Sequence, residues 1–265
     1  KAQVYDESGR VIEAQETYKA ADKPHFFDVQ FTQGFYDAKT PASLARIKLT
    51  DINGNPVSGK VTVKAARLEN KLNEESLNSP IAPDDGSLLD RVFTNNQEEE
   101  QAFTQELDLR QETQATLEMP PLPEGIYRLT LSSPKAADLK LVFLVAEEES
   151  SLALPSVAIA QHEEYHPGAY AKFLIGAGQL NGPKQVEIYA GKDFLVNTQL
   201  ASKGVNILTV PVENEYRGGF GVHWFGASDY KAFQNSAFAD VPYDNKKLSL
   251  TWQGAPSVLP GERVN

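Results

Sequence analysis

The stretch Tyr127-Arg128-Leu129-Thr130-Leu131, followed closely by Leu139-Lys140-Leu141-Val142-Phe143-Leu144-Val145, indicates the fold class of this chain. Large apolar side chains occupy every second position in both runs. Because successive side chains of a β-strand point to opposite faces, this period of two places the apolar groups on one side of a sheet. The two runs therefore predict antiparallel strands with one face on a hydrophobic core.

The same alternation recurs along the whole chain, while long segments with the helical period of 3.6 are nearly absent. Turn sequences such as Asp51-Ile52-Asn53-Gly54-Asn55-Pro56 and Leu180-Asn181-Gly182-Pro183 separate the runs. The pattern predicts an all-β protein made of tandem antiparallel, immunoglobulin-like β-sandwich domains with little helix. The alternating sets are Phe27, Val29 and Phe31; Ala45, Ile47 and Leu49; Val61, Val63 and Ala65; Ala171, Phe173 and Ile175; Val186 and Ile188; Phe194 and Val196; Phe220, Val222 and Trp224; and Leu248, Leu250 and Trp252.

Composition excludes several classes of function. The chain has 265 residues, a formal net charge of −11 and no cysteine. An acidic surface repels phosphate backbones and anionic headgroups, so we expect no nucleic-acid partner. No apolar run reaches the ~20 residues that span a bilayer, so we expect no direct membrane insertion by this piece. The absence of cysteine removes disulfides, thiolate zinc sites and a cysteine nucleophile.

An internal repeat sets the domain size. Val157-Ala158-Ile159 leads to a Pro-Gly turn at Gly168, and Ser249-Leu250-Thr251-Trp252 leads to another at Gly261, 93 residues later. That distance fits one sandwich of about 100 residues. The predicted organisation is as follows: 1–23, the closing hairpin of a preceding domain; 24–150, a sandwich with an insertion at about 70–110; 151–242, a second sandwich; and 243–265, the start of a following domain.

The predicted insertion is polar and contains the run Gln97-Glu98-Glu99-Glu100-Gln101. We interpret it as a solvated excursion, part short helix and part mobile loop. A cation-binding loop is the alternative. It fits less well because the acidic residues are consecutive, whereas calcium loops space their oxygen ligands alternately.

One motif suggests catalysis. His162-Glu163-Glu164-Tyr165-His166 matches the H-E-x-x-H pattern of zinc proteases. That chemistry needs a helix, because only a helical turn brings residues i and i+4 onto one metal. Here a strand-like run precedes the motif and Pro167-Gly168 follows it, which disfavours a helix at His166. The only later histidine, His223, lies on a predicted strand. A metalloprotease using His162, Glu163 and His166 is therefore only a remote alternative.

No other arrangement points to an enzyme. The chain lacks a G-x-S-x-G elbow, a P-loop and a dinucleotide fingerprint. We therefore expect no enzymatic activity, no catalytic, cofactor-binding or metal-binding residues, and no cofactor. The aromatic residues near the end of the second sandwich are better explained as alternating core residues, with a carbohydrate platform as the alternative. They are Phe220, Trp224, Phe225, Tyr230, Phe233 and Phe238.

Four segments resemble bacterial alpha-2-macroglobulin-like proteins. Ala239-Asp240-Val241-Pro242-Tyr243-Asp244-Asn245-Lys246-Lys247-Leu248, followed by Leu259-Pro260-Gly261-Glu262, is similar to the junction at which one macroglobulin domain ends and the next begins. Val4-Tyr5-Asp6-Glu7-Ser8-Gly9 resembles the hairpin that closes an earlier domain. The run from Asp51 to Gly59 and the run from Leu122 to Leu129 resemble an internal hairpin and a closing strand of such domains.

The resemblance implies macroglobulin-type sandwiches in an envelope-associated inhibitor that traps proteases. Neighbouring domains of the same chain would be its contacts, and proteases the targets of the full-length protein. It also implies an extracytoplasmic location, periplasmic or at the cell surface, with any lipid anchor outside this sequence. The thioester of this family needs a cysteine, which is absent here, so no functional residue is carried over. An adhesive or ligand-binding sandwich of a surface protein is the alternative function.

Overall fold

The computed structural model describes residues 2–5, 11–14, 22–72, 87–93, 95–110, 114–191 and 193–244. Within these residues there is one α-helix, α1 (Ser87–Phe93), and one 3-10 turn (Asn214–Tyr216). The strands are β1 (Ala2–Tyr5), β2 (Val11–Ala14), β3 (His25–Phe31), β4 (Tyr36–Asp37), β5 (Ala42–Asp51), β6 (Gly59–Leu68), β7 (Glu98–Leu109), β8 (Ala115–Met119), β9 (Gly125–Ser133), β10 (Ala136–Ala146), β11 (Glu149–Ser150), β12 (Val157–Ala160), β13 (Tyr170–Gly176), β14 (Lys184–Ala190), β15 (Asp193–Leu200), β16 (Val205–Pro211), β17 (Phe220–Ser228) and β18 (Lys231–Ala239).

The predicted all-β class is confirmed. Strands β3 to β10 form one sheet of order β7-β6-β9-β10-β3-β5-β8, with β4 added beside β10. Strands β10 and β3 share only one parallel pair, Ala136 with His25, so the sheet is nearly divided there into two layers. Inward side chains from both layers build the first hydrophobic core, for example Ile47 on β5 and Leu129 on β9. Phe31 and Phe143 meet across the layers with ring centroids 6.1 Å apart. We call this unit the first sandwich.

Strands β11 to β18 form the second sandwich from two four-stranded sheets, of order β11-β16-β13-β12 and β15-β14-β17-β18. Its core is centred on aromatic side chains that include Phe173, Phe220 and Trp224. The indole Nε1 of Trp224 donates a hydrogen bond of 2.7 Å to the carbonyl of Val157. This bond ties β17 of one sheet to the edge strand β12 of the other, and it gives the buried indole N–H the partner that it needs.

The turns follow the sequence signals. Asp51 Oδ1 accepts hydrogen bonds from the backbone N–H of Asn53 (2.8 Å) and of Asn55 (2.9 Å). Gly54 has a φ of +88°, which a glycine adopts without steric cost. The hydrogen bonds from Asn55, first through its side chain, keep the pKa of Asp51 below its ordinary value. This turn connects β5 to the segment that leads into β6.

The acidic run is exposed, as expected, but its interpretation as part of a loop is wrong. Glu98, Glu99 and Glu100 lie in β7, a twelve-residue strand that pairs with β6. They form no loop, because β6 offers a complete antiparallel partner and β7 stands at the edge of the sheet, where outward charges remain hydrated. Helix α1 fits the short helix that was expected in the insertion, and residues 73–86 lie outside the described residues.

The described residues cover the two ends of the chain only in part, so they test the predictions for these ends only in part. Strands β1 and β2 pair antiparallel, with Val4 opposite Ile12, as the predicted hairpin requires. Residues 245–265, and with them the second Pro-Gly turn of the repeat, lie outside the described residues. The change from one sandwich to the other falls between Ala146 and Glu149. The assignment of both chain ends to neighbouring domains stays a prediction.

Candidate functional site

The zinc-protease motif lies in an extended segment. After β12, the backbone from Gln161 to His166 contains no helical residue. Glu164 forms a parallel bridge with Asp240, and Tyr165 N donates to Asp240 O at 2.8 Å. The buried Tyr165 hydroxyl accepts a hydrogen bond from His162 N at 3.0 Å. The segment is thus held as an extended neighbour of the end of β18, and its side chains lack the i, i+4 geometry of a helical zinc site.

The histidines of the motif have local partners. His166 Nε2 lies 3.6 Å from a carboxylate oxygen of Glu164, and its Nδ1 lies 4.0 Å from one of Asp244. His162 stacks edge-on against Tyr165. Among the described residues, no group of three or more histidine, aspartate or glutamate side chains is arranged to hold a metal ion. The same residues contain no helix long and apolar enough to cross a membrane.

The two sandwiches contact each other through buried residues of both, and we call this contact the joint. A third hydrophobic core fills it, built from the outer side of the first sandwich and the outer side of sheet β11-β16-β13-β12. Its buried members are Phe35, Leu68, Val92, Phe93, Ile126, Val142, Leu144, Ala146, Leu152, Leu154, Val157, Leu174 and Val205. Both sandwiches therefore bury apolar side chains on the two sides of the same strands, β10 and β13.

Backbone contacts in the joint are close. Gly34 N donates to Gln161 O at 2.9 Å, across the two sandwiches. A Cβ added to Gly34 would lie 2.3 Å from the carbonyl oxygen of Ala160 and 2.8 Å from a side-chain carbon of Ile159. Because both distances are below van der Waals contact, the joint requires glycine at position 34 unless the backbones move apart.

A charged cluster borders the apolar part of the joint. Lys172 Nζ on β13 lies 2.8 Å from Asp37 Oδ2 on β4. The side chain of Gln161, which is 7% exposed, donates to the same oxygen at 3.3 Å. Both Lys172 and Asp37 are about one-third exposed, so this ion pair fixes orientation more than it adds free energy.

The connection between the sandwiches is pinned to the first one. Glu124 accepts hydrogen bonds from Glu147 N (3.3 Å), Ser151 N (3.1 Å) and Ser151 Oγ (2.6 Å). Burial alone raises the pKa of Glu124, but hydrogen bonds from Ser150, Ser151 and Glu147 together outweigh it and lower the pKa. Asn70 adds a second anchor, since its amide donates to Ser151 O at 3.1 Å and accepts from Ala153 N at 2.8 Å.

A shallow cleft of about 450 Å³ opens beside the joint. Its amines face carboxylates: Lys172 contacts Asp37, and Lys39 Nζ lies 2.8 Å from Glu147 Oε1. The hydrogen bond to Glu147 raises the pKa of Lys39. Both amines that line the cleft are therefore already paired with carboxylates. It is lined by Asp37, Ala38, Lys39, Ala146, Glu147, Glu148, Lys172, Ile207 and Thr209.

The aromatic cluster of the second sandwich divides into two groups. Phe220 and Trp224 are fully buried and belong to the core, as the preferred interpretation of the sequence has it. Phe233 is partly buried and packs against the same core. Phe225, Tyr230 and Phe238 are exposed, so the preferred interpretation is wrong for these three, and Tyr189, which was not predicted as part of the cluster, is exposed as well. Tyr189 could have been found from its strand, because Val186 and Ile188 point inward and the residue after Ile188 must then point outward.

The joint itself was not predicted. A signal for it exists in the sequence, since Val142 and Leu144 fill the positions between the alternating apolar residues and make Leu141 to Ala146 a continuous apolar run. Such a run indicates a strand that is buried on both faces. Val142 and Leu144 enter the joint, whereas Phe143 and Val145 point into the first core. The prediction that only one face of this strand lies on a core is therefore wrong.

Comparisons with known proteins found similarity to solved structures but not to family models or curated proteins. No family model matches the chain, and no curated protein matches it. Among solved structures, it is similar to the native conformation of alpha-2-macroglobulin from E. coli, with 16% identity, a TM-score of 0.34 and coverage of 96% of this chain and 17% of that one. It is also similar to trypsin-activated alpha-2-macroglobulin from Escherichia coli, with 17% identity, a TM-score of 0.32 and coverage of 96% of this chain and 18% of that one.

A mutant of Salmonella alpha-2-macroglobulin is similar at 15% identity and a TM-score of 0.31, with coverage of 84% of this chain and 15% of that one. The chain thus spans less than one-fifth of the length of each of these three proteins. At this level, the likeness extends to no functional residue.

Proposed function

We propose that the two sandwiches are framework domains of an envelope-associated, alpha-2-macroglobulin-like inhibitor that traps proteases. The proposal is supported by the order of the sequence segments that resemble this family. The observation that carries it is the joint, which connects two complete sandwiches through a shared hydrophobic core. In this role the chain carries no catalytic residues, acts outside the cytoplasm and contacts neighbouring domains of the same protein.

The joint suits a framework for a physical reason. A trap that closes around a protease must move its domains together, and a flexible linker between two domains would dissipate that motion. Here the linker is held by Glu124 and Asn70, and water is excluded from the apolar contact between the sandwiches. Pulling the two apart would expose apolar surface at about 25 cal/mol for each Å². The pair therefore moves as one body.

The test of trapping uses the complete encoded protein. It is incubated with trypsin, and its size is followed by small-angle X-ray scattering while residual trypsin activity is measured on a small peptide and on a large protein substrate. A trap gives a change in size, retained cleavage of the peptide and lost cleavage of the protein. Unchanged size together with unimpeded cleavage of both substrates would refute the trapping function.

The role of the joint is tested in the same protein with Gly34→Ala, whose Cβ would meet Ala160 O at 2.3 Å. The matched control is Gly182→Ala, whose Cβ would have an ordinary contact of 3.4 Å with Ala227 O. We expect Gly34→Ala to loosen the joint, seen as faster proteolysis between 147 and 156, and to reduce trapping. If the linker becomes accessible while trapping is unchanged, the two sandwiches are not a framework.

A further inference from the structure

The outer surface of sheet β15-β14-β17-β18 faces away from the core and carries three exposed rings. Val186, Val222 and Trp224 point into the core, so the intervening residues point outward. Among these, Tyr189 is 37%, Phe225 43% and Phe238 56% exposed. We call this surface the outer aromatic face.

Two of the rings lie close to glycine positions of the neighbouring backbone. A Cβ added to Gly221 would lie 2.4 Å from the ring of Tyr189, and one added to Gly219 would lie 2.1 Å from the ring of Phe238. Each ring therefore covers a position that has no side chain, while the residue stays partly exposed to solvent. Shielding of glycine alone would explain these two rings. It does not explain Phe225, which covers no glycine in this way and stands beside the ring of His223.

Polar side chains fill the spaces between the rings. Phe225 is opposite Gln185 on one neighbouring strand and Gln234 on the other. His223 is opposite Glu187 and Ser236, and its Nδ1 lies 3.2 Å from Glu187 Oε2. Amides, a hydroxyl and an imidazole–carboxylate pair can both donate and accept hydrogen bonds. No lysine or arginine occupies these outward positions of the described strands.

We propose that the outer aromatic face binds a short neutral oligosaccharide. The faces of pyranose rings carry C–H groups that stack on aromatic rings, and their hydroxyl groups both donate and accept hydrogen bonds, so this ligand uses both components of the surface. An anionic glycan fits less well, because the surface lacks a cationic residue and the chain has a net charge of −11.

The dimensions favour this ligand over a protein. Tyr189 and Phe238 are opposite Gly221 on adjacent strands, about 10 Å apart, and Phe225 is four residues further along β17, about 13 Å away. The triangle between the three rings is then about 65 Å², whereas a stable protein partner buries about 800 Å² on each side. A short sugar chain fits this area. The proposal is independent of protease trapping, since the joint and this face lie on opposite sheets of the second sandwich.

The test uses the 265-residue chain on an array of neutral oligosaccharides with α- and β-linked glucose, galactose, mannose and N-acetylglucosamine units, followed by titration calorimetry with the strongest binder. We expect binding by at least one of these sugars. Phe225→Ala and Phe238→Ala should each weaken it about tenfold, through loss of stacking, and Gln234→Ala should weaken it less. Circular dichroism establishes that each variant is folded.

Tyr170→Ala is the matched control, because Tyr170 is 69% exposed but lies on β13 in the other sheet. It should bind the sugar as the unmodified chain does. Binding that survives both phenylalanine changes, or that falls equally in Tyr170→Ala, overturns the assignment of the site. Failure to bind any sugar on the array overturns the proposal itself. A concentration-dependent dimer that Phe225→Ala abolishes, without sugar binding, would assign the face to a second copy of the chain instead.

Discussion

Among the described residues, each sandwich contains one buried cation, and the two are satisfied in different ways. Arg128 in the first sandwich is 7% exposed and Lys184 in the second is 0% exposed. Arg128 contacts a carboxylate, with Nη1 lying 3.0 Å from Glu98 Oε1, and donates to Phe93 O at 3.0 Å. The partners identified for Lys184 are two carbonyls, Ser202 O at 2.7 Å and Gly204 O at 3.0 Å.

Both cations perform the same structural task. Arg128 holds the connection between α1 and β7, and Lys184 holds the loop between β15 and β16. The difference lies in charge compensation. Burial without a carboxylate lowers the pKa of Lys184 to about 8, so the second sandwich keeps an amine that deprotonates within an accessible pH range. The comparison teaches that a buried cation can fix a loop by hydrogen bonds alone, at the cost of a stability that depends on pH.

Removing the compensated cation, Arg128, should have the largest effect on the free energy of unfolding. Arg128→Met leaves Phe93 O without this buried donor and removes the contact with Glu98. We expect the free energy of unfolding to fall by about 2–3 kcal/mol, measured by urea denaturation followed by tryptophan fluorescence and circular dichroism. Arg128→Lys keeps the charge but not the fork of donors, and should recover only part of the loss. A loss below about 0.5 kcal/mol in Arg128→Met would contradict the anchoring role.

The uncompensated cation, Lys184, should make the free energy of unfolding depend on pH. Between the folded pKa of about 8 and the unfolded value of 10.5, the unfolded chain binds more protons. The stability that the neutral Lys184 amine contributes to the folded chain is therefore complete above pH 10.5 and is lost as the pH falls through about 8. The free energy of unfolding should rise by about 2 kcal/mol from pH 8 to 9.5 through this group.

In Lys184→Met this rise should be absent, and subtraction of the two titrations removes the contribution of other groups. At pH 7 the variant should have nearly the stability of the unmodified chain, because loss of two hydrogen bonds is offset by removal of a desolvated charge. Parallel pH profiles for the two proteins would show that the buried amine does not titrate in this range.

Removing only the compensating charge of the first site should have a smaller effect. Glu98 is 48% exposed in its side chain, so solvent screens its attraction to Arg128. Glu98→Gln should cost about 0.5–1 kcal/mol, and less at 1 M salt. Glu99→Gln is the matched control, since it changes the same charge at the next position of β7. Equal losses in both variants would assign the effect to net charge rather than to the pair.

The smallest effect is expected at Asp90 on α1. Its Oδ1 accepts a hydrogen bond of 2.5 Å from Val142 N, and burial raises its pKa above the ordinary value of 3.8. Because the pKa of Asp90 is raised on folding, the stability that its neutral carboxyl contributes is complete below pH 3.8 and is lost as the pH rises through the folded pKa. Asp90→Asn keeps an acceptor without the charge, so it should be about 0.5 kcal/mol more stable at pH 7. No such gain should remain near pH 3, where the carboxyl is neutral.

The sequence was sufficient for many of the strands because their information is local. Alternation at Phe220, Val222 and Trp224 fixes which side of β17 enters the core, and the structure places all three there. The acidic run at Glu98 shows the limit of local information. Three consecutive glutamates indicate exposure, but only the pairing of β7 with β6 makes the run a strand. That pairing depends on residues thirty or more positions away.

The joint and the outer aromatic face could not be read from local pattern alone. Gly34 reads as an ordinary loop residue, and its requirement arises only from the nearby carbonyl of Ala160. Tyr189, Phe225 and Phe238 lie far apart in sequence and share a surface only through the order β14-β17-β18. The signals that exist, such as the apolar run at Leu141–Ala146, indicate that a strand is covered on both faces without identifying what covers it.

The amide of Asn70 has a mechanical consequence. It contacts the linker with one donor and one acceptor, at Ser151 O and Ala153 N, as a neighbouring strand would. If tension were applied along the chain, these two bonds would be loaded side by side rather than one after the other. They would therefore have to rupture together before the linker could lengthen. The force needed to detach the linker from Asn70 should therefore exceed the force needed to break the same two hydrogen bonds in succession.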